Sequence, residues 1–114
     1  MSIKIAIIGA GSVTFARTLI KDVLSVPELA DTSLALMDVN EKYLDLIYQL
    51  VRRDIQENRL PARVTATTNR REAVEGADYV VNTTRIGGLE AFQLDIDIPL
   101  KYGIDQCVGD TLCA

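Results

Sequence analysis

The residues with the clearest chemical potential lie near the N-terminus. In "KIAIIGAGSVTF", Gly9 and Gly11 break an apolar run, with Ala10 between them and Ser12 and Val13 after them. Two glycines between a strand and a helix either turn the chain or let backbone N–H groups reach a diphosphate without a Cβ in the way. A helix beginning just after Gly11 adds partial positive charge facing the phosphates, and Ser12 adds a hydroxyl. The glycines alone leave both readings open. Asp38, at the end of "SLALMD", favours the second, because an acid at the tip of the next strand can bond the ribose hydroxyls of an adenosine. Its charge repels a 2′-phosphate, so NAD is expected over NADP. Asp38 and Asn40 can also cap the following helix together, and the two roles coexist. Thr14 stands where a third glycine or alanine completes the fingerprint; its branched side chain is expected to hold the helix slightly away from the strand.

A second group follows later. In "NTTRIGG", Asn82, Thr83 and Thr84 are candidates for hydrogen bonds to a cofactor ribose or a sugar. Arg85 is either a rigid donor fork for an anionic or polyhydroxylated ligand or one half of a surface ion pair. Gly87 and Gly88 mark backbone that bends or is closely approached. In "QCVGDT", Asp110 follows Gly109 in a loop able to reach the same crevice, or is a solvated acid. The chain has no histidine, so it cannot by itself build a Ser-His-Asp or Cys-His nucleophile or a histidine metal site. Proton transfer would fall to Asp, Glu, Lys, Tyr or Cys. Cys107 and Cys113 do not form a C-x-x-C pattern and are expected as free thiols.

The elements needed to position these residues can be read in order. "KIAII" is a strand buried on both faces. "VTFARTLIKDVLSV" is a helix with Phe15, Leu19, Ile20 and Val23 towards the core, stopped near Pro27. Ser33 to Asp38 forms a second strand. Leu44, Ile47, Tyr48, Val51 and Ile55 share one face of a long helix capped by Asn40 and ended at Leu60 and Pro61. "RVTAT" is a third strand. "NRREAVEG" is a short helix or a turn, with Asn69 as its cap and Gly76 as its stop. Tyr79 to Thr83 is a fourth strand, followed by a helix from Leu89 that Pro99 breaks or kinks. This alternation predicts an α/β fold: a Rossmann-like parallel sheet of four to five strands with helices on both faces. Strand four is expected beside strand one, at the point where strand order reverses and ligands bind.

The totals suit one domain of 114 residues, 48% hydrophobic and 25% charged. A formal net charge of -4 speaks against nucleic acid as a partner, since no basic surplus is left to meet phosphates. No run of about 20 apolar residues predicts a membrane span. The first residues do not read as a signal peptide, and a cytoplasmic location is expected.

Taken together, "IAIIGAGS", "ALMDVNEKYL", "ADYVVNTTRIGGLEA" and "IPLKYGIDQCVGDTL" resemble the N-terminal part of glycoside hydrolase family 4, especially its α-galactosidase and α-glucosidase members. The "RIGGLEA…IPLKYG" string is far more diagnostic than the glycine turn. The resemblance implies NAD and a divalent metal, typically manganese. It implies hydride removal from C3 of a sugar, loss of the acidified C2 proton with elimination of the leaving group, water addition, and return of the hydride.

By position, the resemblance assigns Gly9, Gly11, Ser12 and Val13 to the phosphate turn and Asp38 to the ribose. Arg85 matches an arginine that meets the sugar phosphate in phospho-sugar members, and Asp110 an acidic position near the active site. Ala10, Asn40 and Thr83 complete the candidate cofactor residues. The family's metal-binding Cys and His and its proposed Tyr base match no position here, so no catalytic or metal residue is assigned. Residues 1–114 are accordingly expected to be an incomplete dinucleotide-binding domain without the substrate and metal domain. Such a chain is expected to be homo-oligomeric or marginally folded, and inactive alone. Two other readings share the turn: a fragment of a lactate/malate-type dehydrogenase, which leaves "RIGGLEA" unexplained, and a non-catalytic nucleotide-binding module.

Overall fold

The computed structural model describes residues 2–105; Cys107, Asp110 and Cys113 lie outside them. The order is β1 (Lys4–Ile8), α1 (Val13–Ser25), a single 3-10 turn (Pro27–Leu29), β2 (Ser33–Met37), α2 (Glu41–Glu57), β3 (Arg63–Thr67), α3 (Arg70–Val74), β4 (Tyr79–Asn82) and α4 (Gly88–Leu100). The four strands form one parallel sheet in the order β3-β2-β1-β4. This is the Rossmann-like α/β arrangement, with strand four beside strand one as expected.

Residue contacts divide the chain into two compact units, Met1–Thr84 and the segment from Arg85 onward. The first contains the whole sheet. Side chains alternate along β1 and β2, so each strand serves both faces. Ile5, Ile7, Leu34 and Leu36 pack with Ala16, Ile20 and Leu24 of α1 and with Leu44, Ile47, Val51 and Ile55 of α2. On the opposite face Ala6, Ala35 and Met37 pack with Ala73, beside Val74 and Ala77. Small alanines there let the five-residue α3 lie close. Helices thus cover both faces, but unequally, and Val80 of β4 stays exposed.

The long helix α2 matches its sequence pattern, with Tyr48 only partly buried. In α1 the inward face is Ala16, Ile20 and Leu24, and Phe15 is 57% exposed. The large ring drew the sequence reading, whereas the helix phase that buries Ile20 brings alanine to the sheet. Thr14 is exposed too, so its branched side chain does not separate helix from strand. Arg17 of α1 forks onto Asp54 of α2, with Nε to Oδ2 and Nη2 to Oδ1 both 2.8 Å. Pro99 does not break α4 but lies inside its last turn, and the helix ends one residue later at Leu100. Among the described residues no helix is long and apolar enough to cross a membrane.

Candidate functional site

The C-terminal ends of β1, β2 and β4 bring the candidate residues of the first unit together. Gly9 follows β1 with φ +88°, a left-handed conformation that a side chain makes costly. Space forbids a side chain as well: a Cβ there would lie 2.9 Å from both the Thr83 carbonyl carbon and the Thr84 nitrogen. Gly11 is required for a different reason. A Cβ on it would lie 2.6 Å from Asp38 Oδ2. The sequence reading gave that space to a phosphate; in the fold, a carboxylate of the chain itself borders it.

Four backbone amides of the turn are already engaged. The Gly9 and Ala10 N–H groups both donate to the Met37 carbonyl at 2.9 Å, and Ser12 N–H donates to the Gly9 carbonyl at 3.2 Å. Gly11 N–H donates to Asp38 Oδ2 at 2.8 Å. Ala10 is fully buried, so its methyl and its amide both serve the fold. The first helical bond of α1 runs from Ala16 N–H to the Ser12 carbonyl, and among the described residues no side chain caps this helix. No described residue accepts from the amides of Val13, Thr14 or Phe15. These three donors, with the exposed Ser12 beside them, are what the turn offers an anion. Val13 contributes through its backbone alone, because its side chain packs against the core.

Asp38 lies just past β2 rather than inside it. Its Oδ1 accepts from Asn40 N–H at 2.8 Å, so backbone donors hold both carboxylate oxygens. Asn40 in turn caps α2, its Oδ1 accepting from Tyr43 N–H at 3.2 Å. The expected double role of this pair is therefore divided: Asn40 caps the helix, and Asp38 spans the gap between the helix start and the glycine turn. Thr83 also has a task of its own. Its hydroxyl lies 3.1 Å from the Ile8 carbonyl and 3.0 Å from the Gly9 carbonyl, so its proton is committed to the chain. Thr84 bonds to Asn82 Oδ1 through both its N–H and its hydroxyl.

In the second unit Arg85 forms no ion pair among the described residues; its guanidinium stacks on Phe92, 4.4 Å from the ring centroid. Such a stack leaves the N–H edges of the guanidinium free. Sequence reasoning missed Phe92, although its position one turn into a helix behind a glycine pair was a usable signal. It also missed the Met37 carbonyl, for which no sequence signal exists. A groove lined by Ile20, Lys21, Leu24, Ser25, Asp54, Asn58 and Leu60 contains a carboxylate already paired with Arg17. No three His, Cys, Asp or Glu side chains among the described residues are grouped so as to hold a metal ion.

Residues 4–114 match the family described as family 4 glycosyl hydrolase. The chain belongs to this family. It is 58% identical over 113 residues to an alpha-galactosidase of Rhizobium meliloti (strain 1021), covering 99% of this chain and 23% of that protein. A similar solved structure is the 6-phospho-beta-glucosidase of Thermotoga maritima with NAD and glucose-6-phosphate. It superposes with a TM-score of 0.79 at 29% identity, over 92% of this chain and 25% of the other. A 6-phospho-alpha-glucosidase from gut microorganisms, solved with NAD and Mn2+, gives a TM-score of 0.80 at 25% identity, over 93% and 24%. The family 4 chain described here thus spans about a quarter of the length of the curated relatives it matches.

Proposed function

We propose that residues 1–114 are the dinucleotide-binding portion of a family 4 glycosidase that uses NAD and manganese and cleaves α-glycosides, an α-galactoside first among them. The observation that carries this reading is the facing pair at the strand ends. Gly9 and Gly11 contribute no side chains of their own to the turn, the amides of Val13, Thr14 and Phe15 lack partners among the described residues, and the Asp38 carboxylate accepts from Gly11 N–H at 2.8 Å. The identity to an alpha-galactosidase supports the sugar class, and the NAD-bound structural relatives support the cofactor.

The residues fit a dinucleotide. The α1 amides and Ser12 would meet the diphosphate, and Asp38 would accept from a ribose hydroxyl while excluding a 2′-phosphate. NAD, when bound, supplies a hydride acceptor for a sequence of oxidation, elimination and addition at the sugar. This chain's part in that sequence is to bind and orient the dinucleotide. The described residues do not fit a manganese site, and no step is placed on them through the metal. Arg85, steadied by Phe92, is proposed to meet an anionic or polyhydroxylated part of the sugar, and Asp110 is proposed for the same substrate site.

The cytoplasmic setting belongs to the same proposal, as does association with a second copy. The association draws support from β4, which among the described residues lies at the edge of the sheet with Tyr79 63% and Val80 54% exposed. Titration of NAD and NADP against the chain tests the core of the reading. NAD binding tighter than NADP is expected; preference for NADP, or binding of neither, would overturn it.

A further inference from the structure

We infer that Thr83 is a positioning residue for the phosphate turn, acting by tying the end of β4 to the end of β1 rather than by touching the cofactor. The inference rests on the dinucleotide reading above and deepens it.

Three observations converge on this residue. The Thr83 N–H donates to the Ile8 carbonyl at 2.8 Å, the last rung between β1 and β4. Its hydroxyl then reaches the carbonyls of both Ile8 and Gly9 at 3.1 and 3.0 Å, sharing one proton across the peptide where strand becomes turn. Finally, Gly9 lies so close to the Thr83–Thr84 peptide that a Cβ would meet it at 2.9 Å. On the other side, the Met37 carbonyl holds the Gly9 and Ala10 amides. The turn is thus gripped from β2 by one carbonyl and from β4 by one hydroxyl.

The hydroxyl grip fixes which way the Gly9 carbonyl points, and that carbonyl accepts from Ser12 N–H at 3.2 Å. Ser12 is the residue whose own carbonyl starts α1. Releasing Thr83 therefore loosens the step that aims the first amides of α1. A hydroxyl spent in this way has no proton left to donate to a ribose, and its effect on the cofactor runs through the turn it holds.

The test uses the full 114-residue chain and its Thr83→Val and Thr83→Ser variants. Valine keeps the shape and loses the proton; serine keeps the proton. Amide hydrogen exchange at Gly9 to Ser12 is read without ligand, and calorimetric affinity is read for NAD and for adenosine, which lacks the diphosphate. Expected are exchange about tenfold faster in T83V, NAD bound about tenfold more weakly, adenosine affinity within about twofold, and wild-type behaviour in T83S. Unchanged exchange and unchanged NAD affinity in T83V would overturn the inference while leaving the dinucleotide reading in place. Equal weakening of NAD and adenosine would overturn it in favour of general loosening. A wild-type chain that binds no NAD would sink the dinucleotide reading, and the exchange data would still decide whether Thr83 holds the turn. Should T83V not fold, wild-type exchange and NAD affinity in a folded T83S support the inference, and faster exchange or weaker NAD binding there count against it.

Discussion

Asp38 Oδ2 accepts a hydrogen bond from Gly11 N–H at 2.8 Å, joining the tip of β2 to the turn after β1. The acid proposed for the ribose is thus held by the glycine proposed for the phosphate, with Asn40 N–H on its other oxygen. Two backbone donors fix the carboxylate before any ligand arrives, which lowers the ordering cost of binding.

Replacing Asp38 by Ala is expected to weaken NAD binding by about 1–3 kcal/mol, the range for removing a bonded partner in a buried contact. It should also narrow the gap between NAD and NADP, because the charge that repels a 2′-phosphate is gone. Calorimetric titration of both nucleotides checks this. Unchanged NAD affinity would remove Asp38 from the site.

Gly11→Ala should act through Asp38. The added Cβ meets Oδ2 at 2.6 Å and displaces the carboxylate. In the double variant with Asp38→Ala that obstacle has gone, leaving only the Tyr43 Cβ at 3.1 Å, so the double variant should lose less NAD affinity than the two single losses added together. Strict additivity would show that Gly11 acts independently of Asp38.

Gly9→Ala is a folding lesion first. It combines a left-handed φ of +88° with a backbone contact at 2.9 Å. We expect a loss of about 1–3 kcal/mol or more, read by urea unfolding. By the same measurement Ile47→Ala, fully buried between α2 and the sheet, should cost about 2–5 kcal/mol.

The Arg17–Asp54 pair makes stability depend on pH in acid. The Arg17 hydrogen bond, above all, holds the Asp54 carboxyl below the ordinary aspartate value, against a smaller opposing effect of burial. The unfolded chain therefore takes up this proton first. The pair's contribution is full above the unfolded value of about 3.9 and is lost as pH falls through the lower folded value. Asp54→Asn should thus be less stable than wild type near neutrality, and the two should converge below about pH 4. A stability difference that stays constant across that range would refute the linkage.

Much of the framework was legible without coordinates. Apolar runs of five residues, the 3.6 period of α2 and the capping residues Asn40 and Asn69 are local signals, and the structure bears each of them out. Strand order followed from the alternation of elements, because parallel strands need crossovers and a glycine turn marks the switch point. Local pattern was insufficient where phase or partner mattered. Phe15 faces outward because the helix phase that buries Ile20 leaves it no core to enter.

The sequence by itself determined the elements, their parallel order and the presence of a turn built for close approach, since these depend on residue type and spacing along one chain. Only the tertiary structure decided what makes the approach. Asp38 and Thr83 reach the turn from strands far away in sequence. They take up the Gly11 amide and the Gly9 carbonyl, and no reading of the turn's own residues could allot those groups. Hydrogen bonds between distant backbone groups depend on strand register, and register is set only when the sheet packs against its helices.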